Sequence, residues 1–156
     1  MRLFAQILVI LLLFAGVLQA EPPDAQKGRL DLGNRFAIEY VVIHYDIKEY
    51  RDKKGSIGPI FGTDGGVPHT KLAKLTLVEG NKKTPLETSC MYDPWIEQID
   101  VHQFRVRSVS PRRRILTGNF ADAAATYVAQ WLIVDGIGVR TLLSSEPSIV
   151  REKLLR

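Results

Sequence analysis

Residues 127–144 read YVAQWLIVDGIGVRTLLS, in which two apolar runs flank Asp135-Gly136. An Asp-Gly pair between hydrophobic segments is among the strongest short-range signals for a β-hairpin. Gln130 is the only polar side chain of the first run, so both faces of that strand are predicted to be covered. The stretch therefore predicts a hairpin at the centre of the fold rather than at an edge.

Several other segments carry the alternation or the β-branched and aromatic residues of strands. These predicted strands are Phe36–Ile47, Leu72–Val78, Thr84–Met91, Val101–Val109 and Arg113–Thr117. The tail Pro147–Arg156 predicts a short helix with a proline near its first turn. The pattern indicates a mainly β protein: a single small antiparallel β-sandwich or barrel of about six or seven strands with a short C-terminal helix.

One segment fits two kinds of secondary structure. Between Phe120 and Leu132 the apolar residues also recur at helical spacing, and periodicity alone does not separate the two cases. A strand is favoured because the apolar run continues through Val134 into the Asp-Gly turn and a second apolar run.

The N-terminus has the layout of a secretory signal peptide. Arg2 precedes a run from Leu3 to Leu18 that is almost entirely apolar, and a small residue, Ala20, comes just before a proline-rich polar exit. Residues 1–20 are predicted to be a signal peptide cleaved near Ala20, residues 21–34 a flexible leader, and residues 35–156 a single β-rich domain. The alternative is an uncleaved membrane anchor, since the apolar run approaches spanning length.

Composition and cysteine usage fit a protein that is exported from the cytoplasm. The chain has 21 Lys+Arg against 17 Asp+Glu, and loss of residues 1–20 would leave a net charge of +3, which does not by itself imply binding to nucleic acid or to a membrane surface. Cys90 is the only cysteine, which excludes an intramolecular disulfide, and no N-glycosylation sequon is present. The sequence therefore predicts a periplasmic or secreted protein, with a bacterial periplasm favoured.

No motif predicts a specific chemistry. His44, His69 and His102 do not form a metal-spaced pair, and Cys90 is interpreted as a small buried hydrophobe. The glycine-rich segment 55–66 does not lie between a strand and a helix as a phosphate-binding loop would. No catalytic residue, metal site or cofactor is predicted.

Basic residues concentrate in one predicted hairpin. Its candidate binding residues are Arg105, Arg107, Arg112, Arg113 and Arg114. Such a patch could hold an acidic protein, an anionic glycan or lipid headgroups. The alternative is that charge on exposed strands only discourages aggregation.

These observations predict an exported binding protein rather than an enzyme. The expected partner is another protein of the cell envelope, engaged as an inhibitor or immunity-type protein engages its target. One alternative is a small-ligand-binding barrel, whose interior would be lined by Phe36, Tyr40, Phe104 and Trp131. A second alternative is an enzyme whose site combines distant residues, such as His102 with Asp93 or Asp100.

Overall fold

The computed structural model describes residues 24–46, 48, 59–95, 99–121 and 123–155. The signal peptide predicted over residues 1–20 lies outside this range, as does the start of the predicted leader. Among the helices of the described ranges, none has both the length and the apolar character needed to cross a membrane.

Within the described ranges, eight strands form two antiparallel sheets of four strands each, in the orders β1-β2-β3-β4 and β5-β6-β7-β8. The strands are β1 (Gln26–Gly33), β2 (Phe36–His44), β3 (Thr70–Glu79), β4 (Lys82–Leu86), β5 (Phe104–Ser110), β6 (Arg113–Phe120), β7 (Tyr127–Val134) and β8 (Ile137–Ser144). Short 3₁₀ turns at Val101–Gln103 and Ala123–Ala125 precede β5 and β7, and helix α1 (Pro147–Leu155) follows β8.

The predicted fold class is confirmed in its coarse form, but the predicted number of strands is wrong. The additional strand is β1, which lies within the segment 21–34 predicted as a leader. Its inward residues are only half-buried. One of them is Gly28, and the ring of Tyr40 occupies the space that a Cβ atom would need there. A strand with so few apolar residues carries little of the alternation by which strands are recognised.

Tight loops join the strands of each hairpin. In the β7–β8 hairpin Val134 is opposite Ile137, and Asp135 and Gly136 have φ values of 54° and 87°, as a two-residue loop of this kind requires. The predicted Asp-Gly hairpin is therefore confirmed, and the segment from Tyr127 onward is a strand. The hairpin is not central, however, because β8 is the last strand of its sheet.

The hydrophobic core lies between the two sheets and is rich in aromatic side chains. Phe120 is fully buried, and its ring centroid lies 5.2 Å from that of Tyr127, 5.6 Å from Phe104 and 6.3 Å from Trp131. The four residues expected to line a barrel interior are all buried members of this core, at 9 % (Phe36), 8 % (Tyr40), 7 % (Phe104) and 0 % (Trp131) exposure. These side chains therefore belong to the hydrophobic core between the sheets.

The edges of the two sheets meet differently on the two sides of the sandwich. On one side, which we call the closed seam, β4 approaches β8, and Gly138 packs directly against Leu86 and Pro85. Two hydrogen bonds cross there, from Trp131 Nε1 to the carbonyl oxygen of Glu87 (3.0 Å) and from Arg140 Nη1 to that of Ser89 (2.6 Å). On the other side, the open seam, β1 and β5 approach each other without pairing into one sheet.

Candidate functional site

Strand alternation divides the five arginines between two surfaces. On β5 the side chains of Phe104 and Val106 point toward the core, so Arg105 and Arg107 point outward and are exposed. On β6 Arg114 is buried, which places the adjacent Arg113 on the outer face. Arg105, Arg107 and Arg113 therefore share the outer face of the second sheet.

The strand register aligns each of these arginines with a row of side chains across the sheet. The row from Arg107 continues through Ile115 and Leu132 to Val139 on β8. The row from Arg113 continues through Val134 to Ile137. Ile137 and Val139 are 70 % and 57 % exposed, so a basic edge grades into an apolar edge on one face. We call this surface, with the three arginines, the arginine face.

The cations of the arginine face differ in their partners from the other arginines of the two sheets and their turns. Among the described residues, no carboxylate lies within ion-pair distance of Arg105, Arg107 or Arg113. Arg112 and Arg140, in contrast, each pair with an acidic side chain. No acidic group of the described ranges therefore forms an ion pair that would neutralise the three arginines of this face.

Helix α1 covers one end of this face. Its Val150 is buried against β6 and β7, and Lys153 approaches the strands. Lys153 and both β5 arginines line a surface cavity of about 190 Å³ together with Ile115, Thr117 and Gln130. The part of the arginine face around the β5 arginines is thus concave and has three cationic groups in its lining.

Arg114 lies between the two sheets, and its contacts indicate a role in the stability of the fold. Its side chain is only 8 % exposed, and it donates hydrogen bonds from Nη2 to Glu79 Oε1 (2.8 Å) and from Nη1 to the carbonyl oxygen of Ser110 (2.5 Å). The guanidinium also lies 5.9 Å from the ring centroid of Phe36. Because Glu79 and Phe36 belong to the first sheet, Arg114 links the two sheets. The alternation of β6 puts Arg114 in phase with the buried Leu116, a signal in the sequence that predicts its burial.

Arg112 lies in a cleft of about 380 Å³ among the hairpin loops at one end of the sandwich. It donates two hydrogen bonds to Asp135, from Nε (2.6 Å) and Nη2 (2.7 Å). These bonds lower the pKa of the Asp135 carboxyl and raise the pKa of the Arg112 guanidinium. Across the cleft, Glu79 accepts from both Arg35 and Arg114, so each arginine of this cleft has a carboxylate partner.

The acidic residues considered for an enzyme site bind main-chain groups. Asp93 Oδ1 accepts hydrogen bonds from the backbone N–H of His69 (3.0 Å) and of Thr70 (2.7 Å). Asp100 accepts from the backbone N–H of His102 (2.9 Å) and so caps the 3₁₀ turn that begins at Val101. Within the described ranges, no group of three or more His, Cys, Asp or Glu side chains is arranged to hold a metal ion.

The arginine face is therefore the candidate functional surface, although the sequence analysis did not identify its apolar part. Ile137 and Val139 belong to the hairpin predicted to be central, but β8 is the last strand of its sheet and their side chains lie on its outer face, so both are exposed. No protein-family model, curated protein or solved structure matches this chain.

Proposed function

We propose that this protein is an exported binding protein whose arginine face holds an acidic surface of another cell-envelope protein, as an inhibitor or immunity-type protein does. The observation that carries the proposal is the set of three arginines, none of them ion-paired with a carboxylate of the described residues, beside the exposed Ile137 and Val139. Export rests on the composition of residues 1–20, and the partner's acidity rests on the charge of the face.

The mixture of side chains supports a protein partner. Arginine is enriched in protein interfaces, where its planar guanidinium forms paired hydrogen bonds with a carboxylate while its stem covers apolar surface. Burial of Ile137 and Val139 against a partner would add a hydrophobic contribution. The arginines would not first have to leave an intramolecular ion pair, which lowers the free-energy cost of binding.

Charge reversal on the face tests the proposal. The predicted mature form, residues 21–156, is used to capture partners from envelope extract at low and at moderate salt. We expect one stoichiometric protein partner, weakened by salt because screening reduces attraction between exposed charges. Changing Arg105, Arg107 and Arg113 to Glu should abolish its capture without altering the circular dichroism spectrum.

The matched control reverses three lysines of the first sheet, Lys27, Lys71 and Lys74, to Glu, which makes the same change in net charge. This variant should capture the partner as the parent protein does. Equal loss of capture by both variants would show that only the overall charge matters. Undiminished capture by the arginine variant would show that the face does not bind the partner.

A further inference from the structure

The open seam differs from the closed seam in having a groove between its strands. A cavity of about 510 Å³ lies between the edges of β1 and β5. Residues 32–36 line it from the first sheet, and Phe104, Arg105, Val106 and Ser108 line it from β5. The corresponding position at the closed seam is filled, since Leu86 contacts Gly138 there.

We propose that the open seam accepts an extended acidic segment of the protein partner, which adds to β5 as a further antiparallel strand. This inference rests on the proposed function, because it specifies how the partner of the arginine face is held. It places the site at the edge of β5 and identifies the ligand as a peptide segment in which acidic and apolar residues alternate.

The backbone of β5 provides the first argument. Strand β5 pairs with β6 on one side only, and among the described residues the one backbone hydrogen bond shown for β5 outside that ladder runs from the N–H of Phe104, at its start, to the carbonyl oxygen of Val101. Every second residue of such an edge directs its N–H and C=O away from the sheet. An extended peptide can accept and donate hydrogen bonds there, as in recognition by strand addition.

The side chains of β5 define the chemistry of the added strand. Arg105 and Arg107 point outward, so the partner residues beside them would be acidic. Phe104 and Val106 point into the groove toward Leu32, so the alternate partner residues would be apolar. A strand in which acidic and apolar residues alternate matches such a site, because successive side chains of a strand point to opposite faces.

Charge also disfavours pairing of β5 with the β5 strand of a second copy of this chain. If two β5 edges paired, Arg105 and Arg107 of each copy would lie beside the same arginines of the other. Like charges on neighbouring strands are destabilising, and no acidic residue occurs in β5 to compensate. An acidic segment of a different protein meets both requirements of the groove.

The experiment uses the purified protein expressed from the full sequence and a fluorescent peptide of alternating glutamate and valine, matched to the seven residues of β5. We expect binding by fluorescence anisotropy, with slower amide hydrogen exchange in alternate residues of β5. The double variant R105E/R107E should weaken binding at least about tenfold. The matched double variant K71E/K74E, on β3 of the first sheet, makes the same change in net charge and should leave binding of the peptide unchanged.

Two control peptides separate strand addition from simple charge attraction. A peptide of the same composition, with glutamates and valines in two blocks, should bind at least about tenfold more weakly. Two further versions of the alternating peptide carry methyl groups on alternate backbone nitrogens. Methylation of the nitrogens that face β5 should abolish binding, and methylation of those that face away should leave it intact. Equal binding of the block peptide, insensitivity to methylation at both sets of nitrogens, or unchanged exchange in β5 would overturn the inference. Capture of an envelope partner that depends on the three arginines, without binding of the peptide, would refute strand addition and leave the proposed function standing.

Discussion

At the scale of single residues, the neighbours Arg113 and Arg114 show how strand alternation determines the role of a charge. Arg113 is exposed on the arginine face, whereas Arg114 is 7 % exposed and bonds to Glu79 and to main-chain oxygens. A buried cation is tolerated only when such partners replace its lost hydration. The same residue type therefore stabilises the fold at one position and is free to meet a partner protein at the next.

This contrast predicts unequal effects of the same substitution. Arg114→Ala should lower the free energy of unfolding by about 2–3 kcal/mol, because it leaves the carbonyl oxygen of Ser110 and one hydrogen-bonding position of Glu79 without a donor. The loss should be below the full cost of breaking a buried pair, since Arg35 still donates to Glu79. Urea unfolding measures both variants, and Arg113→Ala should change stability by less than about 0.5 kcal/mol. Equal effects would contradict a structural role for Arg114.

At the scale of secondary-structure elements, turn chemistry was predictable and edge position was not. The Asp135-Gly136 hairpin follows from the two residues that form the loop, so the sequence suffices to place it. Strand β1 is not predicted because it has few apolar residues and therefore little of the alternation that indicates a strand. Its inward residues, among them Gly28 and Leu30, are only half-buried. The exposure of Ile137 was missed for a different reason, because it depends on which strand is last in the sheet. That order arises from packing of distant segments, which local patterns do not report.

The closed seam gives a prediction about one glycine of β8. A Cβ at Gly138 would lie 2.7 Å from Leu86 Cδ2 and 3.2 Å from the carbonyl oxygen of Pro85. Gly138→Ala should therefore push β4 and β8 apart and lower the free energy of unfolding by about 1–2 kcal/mol. The control is Gly66→Ala, where nothing lies within 4 Å of the new methyl group and stability should be unchanged or slightly raised. Thermal unfolding of both variants tests this, and equal stability of the two would refute close packing at the seam.

At the scale of the whole molecule, the sandwich is asymmetric. The closed seam is held by the packing of Gly138 and by hydrogen bonds from Trp131 and Arg140 to the segment after β4. The open seam has a groove where β1 and β5 approach, and the inward side chains of β1 are only half-buried. The side with fewer contacts between the two sheets is also the side where the added strand is proposed. A surface that must accept another chain is more easily built where the two sheets are not joined to each other.

This asymmetry predicts the order in which parts of the protein open. Strand β1 should separate from β2 at a lower free energy than β8 separates from β7, because β8 is held across the closed seam by its packing on β4 and by a hydrogen bond from Arg140 to Ser89. Native-state hydrogen exchange at low denaturant should give the amides of the β1–β2 ladder an opening free energy at least about 1 kcal/mol below that of the β7–β8 ladder. Arg140→Ala removes a hydrogen bond across the closed seam and should lower the opening free energy of the β7–β8 ladder. The difference in opening free energy between the two ladders should therefore become smaller. Equal opening free energies in the parent protein would mean that the two seams are equally strong, and a lower value for β8 would reverse the assignment of the weaker side.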